Sequence, residues 1–184
     1  MTFELFGQEF GVFYLISQIF ALAALILSLC AYQKKKKVQI LNYTVVSAIC
    51  SVLHYLFLEA WSGVATKGVG VIRNIFAAYE THNHKVSKLA PFIFVLFYIV
   101  MGFLTYQSPA SLLPVLAASI YTLGIYFLDA RRLRYIAVLT SGLWLVYGII
   151  VFSIMGAVAE TIFIVNDLVA IYRYRRKPRY RNGK

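Results

Sequence analysis

The chain is poor in charge, poor in acid and nearly without cysteine. Charged residues fill 14% of its 184 positions and hydrophobic ones 61%. That balance excludes an ordinary soluble domain, which would then set far more apolar surface against water than globular chains do. Cys30 and Cys50 fall inside apolar blocks, where a small thiol packs well and neither a disulfide nor metal or redox chemistry is expected. No hydrolytic triad, Gly-rich phosphate loop or zinc motif is present. Gly68 and Gly70 lie within a helical block, and no serine has a histidine and an aspartate in evident support. The sequence therefore favours neither an enzyme nor a cofactor.

What is present is long apolar blocks of about 20 residues, the length a helix needs to cross a hydrocarbon core of about 30 Å. Gly11 to Tyr32, Val38 to Leu58, Leu89 to Tyr106, Pro109 to Leu128 and Tyr135 to Met155 are clear. Trp61 to Tyr79 and Ala157 to Tyr174 are weaker because they contain ionisable residues.

Charge placement argues that the weak blocks also span. Lys and Arg gather in cytoplasmic loops, and here they cluster at Lys34 to Lys37, at Lys85 and Lys88, at Arg131, Arg132 and Arg134, and from Arg173 to Lys184. Met1 to Phe10, Glu59 to Ala60, Gln107 to Ser108 and Met155 to Gly156 have none. Seven crossings, N-terminus outside and C-terminus inside, satisfy every segment. The net charge of +11 is then an orientation signal rather than a sign of nucleic-acid binding, with anionic lipid headgroups as neighbours of the tail. Glu4 and Glu9 before the first block, and its length, are unlike a cleavable signal peptide, so this helix is expected to stay in the mature chain.

The expected architecture is all-α: one membrane domain over 1–184, with three helices, one inverting helix and three more. Repeat one covers 10–80, the linker helix 89–106, repeat two 109–174 and a basic cytoplasmic tail 175–184. Sliding one half onto the other by 93 positions puts Gly63 on Gly156, Ala77 on Ala170 and Tyr79 on Tyr172. Parallel repeats of this kind occur in transporters that bind near the midplane between their halves.

Ionisable side chains at membrane depth are costly and normally face a partner or a wet cavity. The third helix carries Lys67, Arg73 and Asn74, and the seventh carries Glu160, Asn166 and Asp167. The same shift sets Lys67 on Glu160, Arg73 on Asn166 and Asn74 on Asp167. Lys67 and Asn74 are two turns apart on one face, as are Glu160 and Asp167. Pairs of Lys67 with Glu160 and of Arg73 with Asp167 are therefore expected to line a central cavity. The bland reading of the same residues is a set of buried salt bridges holding the halves in register. His54 aligns with Tyr147, and both are candidates to reach the cavity, against packing roles. His82 and His84 read as part of a solvated loop and not as a metal site.

The stretch LHYLFLEAWSGVATKGVGVIRNIFAAYE, with His54, Tyr55, Arg73 and Asn74, resembles the bacterial inner-membrane family called Imp-YgjV. That resemblance implies the wider group of SWEET and PQ-loop (MtN3-like) proteins. It also implies a substrate contact by Asn74 and by Asp167 or Asn166. SWEET proteins have hinge prolines in four helices. Here Pro109 and Pro114 lie in the fifth, and the first, second and sixth have none. The expectation is a small-solute transporter or facilitator in the inner membrane, its solute zwitterionic or anionic and bound by Arg73, Asn74, Asn166, Asp167, His54 and Tyr147. Lys67 and Glu160 would serve as charge pair or coupling groups. The alternative is a non-transporting membrane binding or assembly protein. The bilayer and an unnamed solute are the expected partners, and self-association is open.

Overall fold

The computed structural model describes residues 3–5, 8–33, 37–83 and 87–176. Lys34, Lys35, Lys36, His84, Lys85 and the tail beyond 176 lie outside the described residues. A short antiparallel ribbon, β1 (Phe3–Leu5) and β2 (Gln8–Phe10), opens the chain, with Glu4 opposite Glu9. This is the one departure from an all-α plan among the described residues. Seven helices follow: α1 (Val12–Gln33), α2 (Lys37–Phe57), α3 (Trp61–His82), α4 (Ala90–Leu104), α5 (Leu112–Phe127), α6 (Ala130–Ile150) and α7 (Ile154–Arg176).

Local chemistry fixes several of these ends. Pro91 in the first turn of α4 and Pro109 at the head of a single 3-10 turn occupy positions where a helix has no use for the missing N–H. Ser108 and Ser111 form a capping box that leads into α5. Arg131, Arg132 and Arg134 are not in a loop, as the sequence suggested, but in the first turns of α6. That helix starts and ends about five residues earlier than expected because the turn at Val151 to Ser153 stops it.

Four stretches are long and apolar enough to cross a membrane among the described residues: Val12–Ala31, Pro109–Phe127, Arg131–Ile150 and Ile154–Arg173. The seventh helix thus passes the hydropathy test that the sequence reading expected it to strain. α3 does not, since Lys67, Arg73 and Glu80 interrupt it. Among the described residues α2 offers a shorter apolar stretch, Asn42–Phe57, and α4 has 15 residues, about 22 Å of helix.

The helices pack in chain order, α1 on α2, α2 on α3, α3 on α4, and so on to α7, with α3 also touching α5 and α1 touching α7. The result is a ring around a central space, and its outward side chains are apolar: Phe13, Ile19 and Ile26 on α1, and Phe92, Leu96, Phe97 and Phe103 on α4. An apolar exterior of this extent suits lipid rather than water.

Two turns, α2–α3 and α6–α7, are built alike. Glu59 has φ 55° and Phe152 has φ 53°, a left-handed conformation that non-glycine residues rarely adopt. Around Glu59, backbone N–H groups of residues 58, 59, 60, 61 and 64 donate to carbonyls of 54, 56, 55, 59 and 60. Around Phe152, those of 151, 152, 153, 154 and 157 donate to 147, 149, 148, 152 and 153. All five bonds recur at a separation of 93 residues.

Candidate functional site

The ring encloses a cavity of about 440 Å³, within the range of about 300 to 1,000 Å³ typical of small-molecule sites. Its walls differ in chemistry. The α1 and α2 side is small and hydroxylated, with Ala24, Ser28, Thr44, Ser47 and Ser51. Ser47 donates to the Ala24 carbonyl at 2.7 Å and pairs with Ser28 at 2.8 Å, which binds α1 to α2. The α3 side brings Lys67, Gly70, Arg73 and Asn74, and the α7 side Gly156, Glu160, Phe163 and Asp167. Trp144 and Ser141 of α6, Tyr121 of α5 and Tyr98 of α4 complete it.

Arg73 is buried, yet among the described residues its guanidinium meets no carboxylate. Nη1 donates to Thr122 Oγ1 at 2.9 Å, and Nη2 and Nε donate to Asn74 Oδ1 at 3.0 and 3.3 Å. Thr122 passes its own hydrogen to the Ala118 carbonyl at 2.7 Å, so its oxygen is free to accept from the arginine. The guanidinium carbon lies 5.7 Å from the Tyr121 ring centroid. These contacts hold the group in place without neutralising it.

The expected charge pairs are not formed. Asp167 is paired with Arg134 of α6, within the same half of the chain, and not with Arg73. Lys67 and Glu160 both face the cavity, but no ion pair within 4.0 Å joins them. Lys67 Nζ sits instead 3.7 Å from the centroid of the Trp144 ring, where the negative face of the indole attracts a cation.

Two further expectations need correction. Asn166 is exposed on the outer face of α7 and takes no part in the cavity, because one residue along a helix rotates a side chain by about 100° and Asp167 holds the inward position. Tyr147 is buried but does not line the cavity: its hydroxyl pairs with Ser62 Oγ at 2.8 Å and accepts the Gly63 N–H at 3.2 Å. It fastens α6 to the start of α3.

His54 does reach the cavity wall, and it is fully engaged. Nδ1 donates to the Ser17 carbonyl at 2.8 Å, and Nε2 pairs with Ser153 Oγ at 2.6 Å. Its role mirrors that of Tyr147, its equivalent at a separation of 93. His54 reaches the α6–α7 turn and Tyr147 the α2–α3 turn, beside Gly156 and Gly63 respectively. A Cβ on Gly63 would meet Tyr55 at 2.8 Å and Tyr147 at 3.3 Å, and one on Gly156 would meet Ser153 and, at 3.5 Å, His54 Nε2. Tyr14 adds a bond to the Phe152 carbonyl at 3.0 Å, and Gln18 accepts from Met155 N at 2.8 Å. This end of the ring is shut by polar latches and by the Tyr55, Trp144 and Tyr147 rings. The cavity lining extends the other way, to Ala31 near the end of α1 and Ala137 three residues past Arg134 in α6.

Sequence reasoning missed Tyr98. It sits among apolar neighbours in IFVLFYIV, yet Phe94, Tyr98 and Gly102 recur every fourth residue and form the buried face of α4. It also missed Glu80, which accepts from Ser87 N at 2.6 Å and from the Tyr126 hydroxyl at 3.1 Å and so ties the α3–α4 connection to α5. Among the described residues no group of three or more His, Cys, Asp or Glu is arranged to hold a metal.

A family model named Imp-YgjV and described as a bacterial inner membrane protein matches residues 15–178. No curated protein and no solved structure matches the chain.

Proposed function

The chain belongs to the Imp-YgjV family of bacterial inner membrane proteins, and from that premise we propose that it carries a small anionic or zwitterionic solute across that membrane. The observation that carries this reading is a buried guanidinium, Arg73, that no carboxylate among the described residues pairs with, on the wall of a cavity large enough for a metabolite. A cation at such depth is expensive unless something answers its charge, and intramembrane ionisable residues mark substrate or ion pathways. Asn74 is the neutral partner beside it, and Lys67 and Glu160 face the same space for a second charged group or a coupling proton.

Seven crossings in a three-plus-one-plus-three plan, with the N-terminus outside, fit this reading. The plan draws support from the five backbone bonds that recur at 93 residues, and from the packing pairs α3·α5 and α7·α1, which exchange under the same shift. Kinship with SWEET and PQ-loop proteins is part of the proposal and rests on that repeat. In this arrangement the cavity faces the cytoplasm, and the His54 and Tyr147 latches close the outer side. Alternating access would break them and close the basic end instead.

The test is solute uptake by purified protein in liposomes, across a panel of small organic acids and amino acids. Wild type is expected to accumulate at least one member and Asn74→Ala to lose most of that uptake. No uptake of any member, or Asn74→Ala indistinguishable from wild type, contradicts the proposal.

One pair fits buried salt bridges holding the helices in register. Arg134 with Asp167 is an internal ion pair, so Asp167 is assigned to structure and not to the solute.

A further inference from the structure

Two buried side-chain oxygens have no hydrogen-bond partner among the described residues, Ser119 Oγ and Tyr98 Oη, and of these only Tyr98 lines the cavity. Tyr98 is 1% exposed. A buried hydroxyl left unpaired is destabilising, and at this exposure bulk water does not repair it. The phenol stands over Gly70, where an added Cβ would lie 3.8 Å from its oxygen. Gly70 is one turn before Arg73 and Asn74 on the same face of α3, and Tyr98 and these three residues line the same cavity.

The polar groups converging here are donors. Asn74 has turned its Oδ1 toward Arg73, which leaves its amide N–H groups unpaired among the described residues. Arg73 offers the guanidinium hydrogens not taken by Thr122 and Asn74, and Tyr98 offers an O–H. A cluster of donors, one of them cationic, complements a planar oxyanion, with one oxygen on the guanidinium and the other on the phenol and amide.

We infer that α3 and α4 together form a carboxylate subsite, in which Tyr98 contacts the ligand and Gly70 keeps open the space that its carboxyl group fills. This deepens the transport reading and rests on it. It also brings the linker helix, which neither repeat contains, into the binding site.

The experiment is a thermal-shift titration of the full purified chain with sodium acetate, lactate and succinate at constant ionic strength, with choline chloride as the cation control. Wild type, Tyr98→Phe and Gly70→Ala are compared. At least one carboxylate is expected to raise the midpoint of wild type, as a ligand of the folded state must. Tyr98→Phe removes one oxygen that no described residue engages. Its ligand-free midpoint should therefore equal or exceed that of wild type, while the carboxylate binds about ten-fold more weakly. Gly70→Ala puts a methyl in the carboxyl group's space and should also weaken binding with the fold intact.

A Tyr98→Phe protein with a lowered ligand-free midpoint and unchanged affinity makes the hydroxyl structural and overturns the inference. So does a wild-type protein that responds to choline and to no carboxylate. If neither acetate, lactate nor succinate shifts the midpoint and Tyr98→Phe takes up the transported solute as wild type does, the subsite alone is rejected. If uptake is absent as well, the transport reading falls with it.

Discussion

Arg73 and Asp167 show what a single side chain decides here. Spacing alone pairs them, because they face one cavity from helices expected to oppose each other. The structure gives Asp167 to Arg134 and leaves Arg73 with Thr122 and Asn74. The sequence identified which charges lie at membrane depth but not their partners, since a partner depends on side-chain reach and on where α6 begins. The two arginines therefore answer differently to mutation. Arg134→Ala strands a buried carboxylate, and although Arg134 is half-exposed, a loss of about 1 to 3 kcal/mol is expected, with Arg134→Leu plus Asp167→Leu recovering most of it in a thermal melt. Arg73→Met removes a charge that no acid among the described residues pairs with, so it should cost little or no stability while abolishing solute binding. A large fall in melting temperature for Arg73→Met would mean that the guanidinium is a staple.

At the scale of elements, the α2–α3 and α6–α7 turns bear most on how the two halves meet. Their positive-φ residues and shared bonding hold the first turns of α3 and α7 so that Gly63 and Gly156 receive the tips of Tyr147 and His54. Gly63→Ala would push a methyl against the Tyr55 ring, at a cost of about 1 to 3 kcal/mol as in other overpacked interiors. His54→Ala would free the Ser17 and Ser153 groups together and should destabilise by about 2 to 4 kcal/mol, each lost partner costing about 1 to 2. Scanning calorimetry in one detergent reads both. The elements themselves were legible from block length and from the alternation of basic and uncharged segments, with ends correct to one or two residues for α1, α2 and α4. The N-terminal end of α6 was not, because its first turns are basic. Nor was the α4 contribution, since a lone tyrosine in an apolar helix carries no charge to mark it. Asn166 failed for a related reason: a repeat shift aligns positions, and an adjacent residue points about 100° away.

Across the whole molecule, the structure joins a latched end, a central cavity with Arg73 on its wall, and a lining that runs to Ala31 of α1 and to Ala137, beside the basic start of α6. The proposal turns that asymmetry into a cytoplasm-facing state of a carrier. Cysteine accessibility tests it most directly, with Ser141→Cys placed on the cavity wall in a Cys30→Ser, Cys50→Ser background and exposed to a membrane-impermeant maleimide. The account predicts rapid labelling from the cytoplasmic face of inverted vesicles and little from the outside of intact spheroplasts. Adding His54→Ala and Tyr147→Phe, which opens both latches, should raise outside labelling several-fold. No labelling from either face, or equal labelling from outside with the latches intact, would contradict a hydrated cavity closed at its outer end.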